Sequence, residues 1–302
     1  MDIIALESLT KSYTNKIAVS ELSLQVRHGE IYGFIGPNGA GKSTTIRMIM
    51  QLVAPTSGRI TLFGKDAGHP SSELRKRIGY LPSEIRLYES WSGLESLDFT
   101  ARSYGLKLSE TTYREQAELL DLDLGKKVKS YSLGNRKKLG LIQSLLHQPE
   151  LLILDEPTSG LDPLIQRKLT EILRDQQKQG MTIFFSTHVL SEVEQLCDRV
   201  AMIREGKLLR VEDIDMSAKA RRHMFRVRFA EEGSWIDELG LREFDPGVKF
   251  QNGTYLFEIE GELESVLKRL AGSSSAIVDL KVEHPSIEKQ FMRDYEKEDE
   301  NE

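Results

Sequence analysis

Cysteine occurs once in these 302 residues, at Cys197, which excludes an internal disulfide and a metal site built from cysteines, and fits a reducing compartment. A small core residue is the expected role of that thiol. No apolar run approaches the ~18 residues that a membrane span needs, and the first residues lack the basic-then-apolar pattern of a signal peptide. The expectation is a cytoplasmic chain that reaches a membrane only through partner subunits. Positive charge is not in excess either. With 41 Lys and Arg against 47 Asp and Glu the net charge is -6, which argues against a general nucleic-acid binder. Short basic runs such as Arg136-Lys137-Lys138 and Arg221-Arg222 read as solvated faces.

What the chain does have is Gly36-Pro37-Asn38-Gly39-Ala40-Gly41-Lys42-Ser43-Thr44, which fills every fixed position of the phosphate-binding pattern G-x-x-x-x-G-K-[ST]. A buried strand is predicted just before it and a helix just after, over 44–50. The glycines let backbone N–H groups converge on phosphate oxygens at the positive end of a helix dipole. Lys42 then reaches the β- and γ-phosphates, and the Ser43 hydroxyl suits Mg²⁺. A second element of the chemistry is Leu151-Leu152-Ile153-Leu154-Asp155-Glu156, an apolar strand closed by two carboxylates. Successive residues at a strand end point apart, so Asp155 can hold Mg²⁺ while Glu156 activates a water as general base.

Along the chain, strand-like segments at 3–9, 22–26, 31–35, 60–63 and 78–81 come first. A mostly helical stretch follows from about 93 to 147, and strands return at 151–154, 182–186, 200–203 and 208–211. A helix over 164–174 brings Ile165, Leu169, Ile172 and Leu173 to one face. Polar residues over 212–222 read as a linker, set at 216–222 in the domain division. Beyond it Phe225, Val227 and Phe229 alternate, Asn252-Gly253 marks a two-residue hairpin, and Val278, Leu280 and Val282 alternate in a last strand. A final helix from Ser286, with Ile287, Phe291 and Tyr295 inward, leads to an acidic tail at 297–302.

Thr158-Ser159-Gly160-Leu161-Asp162 directly follows Asp155-Glu156-Pro157, and Phe184-Phe185-Ser186-Thr187-His188 ends a later strand. With the phosphate loop and the helices between, this set resembles the ATP-binding cassette family over about residues 1–215, specifically the ATPase subunit of export-type, ABC-2-like transporters. The fold class expected is α/β. A P-loop NTPase core carries an antiparallel β subdomain and a helical insertion at about 84–150, and a small C-terminal α+β, ferredoxin-like domain follows at 223–296.

The resemblance implies that two cassettes close head to tail, with each ATP between one subunit's phosphate loop and the other's signature sequence. It assigns Gly36, Asn38, Gly39, Ala40, Gly41, Lys42, Ser43 and Thr44 to the triphosphate and Tyr13 to stacking on adenine. Catalysis falls to Glu156, His188 and Lys42, with His188 at the γ-phosphate and attacking water, and Mg²⁺ to Ser43 and Asp155. Asp162 would link the two sites across the interface. The implied partners are a second copy or a paralogous cassette and integral-membrane transporter subunits, whose surfaces would select the cargo; no nucleic acid is expected.

Two segments depart from the family. Where it favours Leu-Ser-Gly-Gly-Gln, this chain has Tyr131-Ser132-Leu133-Gly134-Asn135. Ser132 and Gly134 still offer a hydroxyl and an N–H to the partner's γ-phosphate, whereas Leu133 adds a Cβ, which leaves slower or more partner-dependent hydrolysis open; Arg136, Lys137 and Lys138 are expected to continue this helix with charge near the nucleotide. The family's usual Gln after a strand-ending proline is replaced by Ser83, followed by Glu84. Either could ligate Mg²⁺, or Glu84 could simply face solvent. Tyr88 and Trp91 beyond them either form an exposed contact for a membrane subunit or pack inside the helical insertion. The alternative functions are a soluble cassette ATPase and a nucleotide-gated switch that hydrolyses little; the first usually has two cassettes in one chain or a long coiled-coil insertion.

Overall fold

Leu22, Leu24 and Val26 alternate with polar residues, and this period of two builds β2 (Lys16–Arg27) with one buried face, paired antiparallel to β1 (Asp2–Tyr13). The computed structural model describes residues 2–14, 16–214, 222–231, 235–260 and 263–283. With β4 (Ser57–Leu62) and β5 (Lys65–Asp66) these strands form an antiparallel sheet of order β2-β1-β4-β5.

The second sheet rests on continuous apolar runs. Every residue of β3 (Ile31–Ile35), β7 (Leu151–Asp155) and β8 (Thr182–Thr187) is buried, as in a parallel sheet covered on both faces. With β6 (Ile78–Leu81), β9 (Arg199–Arg204) and β10 (Lys207–Asp213) the order is β10-β9-β3-β8-β7-β6. Only β10 runs antiparallel to its neighbour. Helix α1 (Lys42–Ile49) leaves the end of β3, and its Ile46 and Ile49 join Leu9 and Leu22 of the first sheet and Tyr32, Phe34 and Phe184 of the second in one core. The short α2 (Ser72–Arg75) precedes β6.

Between β6 and β7 lie α3 (Gly93–Ser103), α4 (Tyr113–Leu119) and α5 (Leu133–Leu145). Ser92 and Glu95 start α3 with reciprocal side-chain-to-backbone bonds, which satisfies two otherwise orphaned donors. The Gln143 amide ties α5 to α3 through Ser96 O and Thr100 Oγ1. Helices α6 (Pro163–Lys178) and α7 (Leu190–Leu196) flank β8, and Cys197, just past α7, is buried. Burial pushes its thiol far above the usual thiol range.

The chain divides into two compact units, residues 1–214 and 215–302. The polar stretch predicted as a linker starts too early in the sequence reading: Glu212 and Asp213 belong to β10, paired with Val200 and Arg199, and Arg222 opens β11 (Arg222–Phe229). Polar side chains do not prevent an edge strand from pairing, because the ladder uses only the backbone. In the second unit, β11, α8 (Trp235–Glu238), α9 (Leu241–Phe244), β12 (Lys249–Gln251), β13 (Thr254–Glu260), α10 (Leu263–Ala271) and β14 (Ile277–Glu283) follow one another. The sheet order is β12-β13-β11-β14, antiparallel throughout, the strand arrangement of a ferredoxin-like fold. Asn252 and Gly253, both at positive φ, turn the β12–β13 hairpin as predicted. Phe225, Val227, Trp235, Val266 and Leu270 share its core. The helix predicted from Ser286 and the acidic tail lie outside the described residues.

Candidate active site

Parallel pairing sets the ends of three neighbouring strands side by side: Ile35 is in register with Thr187, and Asp155 with Ser186. The residues that follow β3, β7 and β8 therefore open at one edge of the sheet, where ligands of open α/β sheets collect. The phosphate loop after β3 is held by close backbone approach. A Cβ on Gly36 would overlap the Ile203 carbonyl oxygen, and one on Gly41, at φ +105°, would lie 2.5 Å from the Ala18 carbonyl. Ala40 is buried, Asn38 and Gly39 are exposed at the loop tip, and Ser43 and Thr44 sit half-buried in the first turn of α1.

Lys42 is 5 % exposed, and its Nζ donates to Gly36 O at 2.7 Å and Pro37 O at 3.1 Å. The same nitrogen lies 3.6 Å from Glu156 Oε1. Burial holds its ammonium below the usual lysine range, opposed by the Glu156 carboxylate and more weakly by Asp155. Glu156 leaves β7 with φ 50°, a left-handed conformation uncommon for a residue with a Cβ, while its N–H donates to Ser186 O at 3.1 Å. That turn separates the two carboxylates, as their neighbouring positions implied. Asp155 stays buried and accepts from Ser186 Oγ at 2.7 Å, and Glu156 Oε1 meets His188 Nδ1 at 3.4 Å. His188 is exposed, and its loop is shaped by Thr187, whose hydroxyl donates to Glu192 at 2.6 Å and accepts from Val189 N at 3.0 Å.

Lys42, Asp155, Glu156 and His188 thus lie together at the ends of β3, β7 and β8. Tyr13 ends β1, exposed, with the Lys11 ammonium 5.2 Å from its ring centre. Ser132 caps α5, its Oγ accepting from Asn135 N at 3.2 Å, so the hydroxyl proton is left to donate elsewhere. Leu133 is 55 % exposed and lies over Gly160, where a Cβ would come within 3.0 Å of it. Asp162 caps α6, accepting from Leu164 N and Ile165 N at 3.1 Å. Ser83 is half-buried and Glu84 exposed, beyond the end of β6 and next to β7. Among the described residues no hydrogen bond or ion pair joins residues 132–135 or Tyr13 to Lys42 or Glu156.

The basic run 136–138 lies on α5, the helix it was expected to continue, and is not a solvated face. Lys137 is 2 % exposed and its Nζ donates to the backbone oxygen of Glu156; Lys138 is buried beside Asp121 O, and Arg136 pairs with Glu89 at 3.3 Å. Burial holds the Lys137 ammonium below the usual lysine range, with Glu156 and Asp155 opposing. The signal was present in the sequence: helical spacing puts Lys137 in line with Leu141 and Leu145, both buried. Ser186 was part of a recognised motif, but its bond to Asp155 was not foreseen.

Among the described residues no helix is long and apolar enough to cross a membrane. A family model described as ABC transporter matches residues 19–159. An overlapping model, described as an AAA domain of a putative AbiEii toxin, matches 127–194 and omits the phosphate loop. The bacitracin transport ATP-binding protein BcrA of Bacillus licheniformis is 40% identical over 237 residues, 78% of this chain and 77% of that protein. The uncharacterised ABC transporter ATP-binding protein YhcH of Bacillus subtilis is 34% identical across 96% of this chain and 95% of its own length. Among solved structures, one described as the ATP-binding subunit of an ABC transporter superposes with a TM-score of 0.64 at 32% identity, over 70% of this chain and 90% of its own.

Proposed function

This chain belongs to the ATP-binding proteins of the ABC transporter family, and on that premise we propose that it hydrolyses ATP to ADP and phosphate at the Lys42, Glu156 and His188 site while paired head to tail with a second cassette. The observation that carries the reading is the convergence of these three side chains, at 3.4 and 3.6 Å from one carboxylate oxygen. Lys42 binds the β- and γ-phosphates, exchanging its carbonyl partners for phosphate oxygens. Glu156 takes the proton of the attacking water, and His188 orients that carboxylate and faces the γ-phosphate. Ser132 and Gly134 of the second cassette complete the site at the helix N-terminus opposite.

The Ser43 hydroxyl and the buried Asp155 carboxylate are hard oxygen donors and fit Mg²⁺. Among the described residues no group of three His, Cys, Asp or Glu stands together. When bound, Mg²⁺ supplies neutralisation of phosphate charge. Ser83, half-buried, and Glu84, exposed, remain the two further candidates.

Coupling to a membrane subunit is supported by a groove of about 450 Å³ lined by Tyr80, Pro82, Ile85, Leu87, Thr100 and Tyr104, between the end of β6 and helices α3 and α5. Beside it Tyr88, Trp91 and Phe99 pack ring to ring, with Tyr88 and Phe99 still exposed, which suits aromatic anchoring of a partner helix. The chain would thereby work at the cytoplasmic face of a membrane and drive export. A transport role rather than a regulatory one is further supported by the relative named for bacitracin transport. The test is steady-state ATPase activity of the full chain, alone and with its membrane subunits. Glu156→Gln should retain ATP binding and lose on the order of 100-fold or more in turnover; unchanged turnover refutes the assignment.

A further inference from the structure

Strand β14 closes one edge of the C-terminal sheet, and no described strand lies on its outer side. On its inner side it pairs with β11 in the register Phe225 to Val282, Val227 to Leu280 and Arg228 to Asp279. Residues opposite one another in an antiparallel pair share a face, so Leu280 and Val282 stand on the side where Phe225 and Val227 are fully buried, and the register shift between Arg228 and Phe229 ends this alternation short of Val278. Yet Leu280 is 37 % exposed and Val282 38 %. An edge strand with an apolar stripe and open backbone groups is a template for pairing with another strand.

The charges choose the partner. Across the strand from the stripe stand Asp279, Lys281 and Glu283. We propose that the occupant of this edge is a second copy of the chain, its β14 antiparallel to the first across a two-fold axis through Leu280. In that register Leu280 faces its own equivalent and Asp279 faces Lys281, the hetero-pair occurring twice, as an isologous contact requires. Apolar meets apolar on one face and opposite charges meet on the other. The registers centred on Asp279 or Lys281 instead set like charges directly opposite one another, which destabilises a strand pair. The two C-terminal sheets become one continuous sheet, and this association does not rest on the nucleotide reading and survives its failure.

The experiment uses the full chain without nucleotide. Facing residues of antiparallel strands have Cα atoms about 4.5 or 5.5 Å apart, within disulfide range. Leu280→Cys should therefore give a covalent dimer on mild oxidation. Phe250→Cys, at a still more exposed position on the opposite edge strand β12, should stay monomeric, and the buried native Cys197 is silent. In the Leu280→Cys background, Asp279→Lys should cut cross-linking roughly tenfold, and adding Lys281→Asp should restore it. Lys281→Asp alone should also cut cross-linking, although within its own chain the new carboxylate faces Arg226, so an intrachain effect would not produce that loss. Equal cross-linking at position 250 or failure of the double exchange overturns the proposal. Cross-linking that appears only after removal of residues 284–302 overturns it too, assigning the stripe to the chain's own C-terminal segment.

Discussion

The phosphate-loop end of the first unit and its signature end are built on opposite principles. At the loop end the functional groups are already engaged, Lys42 and Asp155 buried and Glu156 half-buried: Lys42 holds two carbonyls, Asp155 holds Ser186, and Glu156 sits between Lys42 and the exposed His188. At the signature end Ser132 and Leu133 are exposed, and their described bonds are those of an ordinary helix start. The first arrangement is preorganised for charge and the second awaits a surface to meet. Lys137 bridges them, since it lies one turn into the signature helix and donates to the backbone of Glu156.

The contrast can be broken by substitution. The largest effect is expected for Gly41→Ala, which forces a Cβ onto the Ala18 carbonyl at a positive φ. Such a clash and strain should cost ~2 kcal/mol or more and abolish ATP binding, read by thermal unfolding and nucleotide titration. A variant that binds ATP normally would show that the loop is less tightly built than its contacts imply.

Lys137→Met should separate stability from activity. It removes a buried charge, and the Glu156 carbonyl keeps Ser159 N as a longer partner at 3.4 Å, so thermal stability should hold or rise. Turnover should fall about 10-fold with KM little changed, because the backbone that carries the general base is less firmly placed. Lys137→Gln, which keeps a donor, should recover part of the loss. If both variants turn over normally, the two ends of the site are independent.

The smallest effect belongs to Leu133→Gly. The side chain is mostly exposed, so stability should drop by ~1 kcal/mol or less, and ATP affinity of the single chain should not move. Any change in hydrolysis should appear only under conditions that pair two cassettes, measured as the protein-concentration dependence of specific activity. A loss of affinity in the dilute single chain would erase the distinction between the two ends.

Legibility followed the same divide. The phosphate loop and the acidic pair could be read because their donors are consecutive residues on a predicted strand and turn. The basic run containing Lys137 could be read both as a solvated face and as helix charge near the nucleotide, since composition of a triplet says nothing of which face of α5 turns inward. The C-terminal hairpin was legible from Asn252-Gly253, whose positive φ values a turn of this kind demands. The end of β10 was not, because pairing with β9 is a backbone matter to which Glu212 and Asp213 are indifferent.

By itself the sequence determined that a triphosphate-binding loop, a carboxylate pair and a later histidine would stand at strand ends, because strand periodicity and local spacing suffice for that. Only the tertiary structure decided that β7 lies beside β8, which sets Ser186 on Asp155 across 31 residues and His188 on Glu156 across 32. It also decided that the alternating stripe of β14 is left uncovered, an outcome of where helices pack on a sheet rather than of the strand's own pattern. Burial is a property of neighbours distant in the chain, and no local period encodes it.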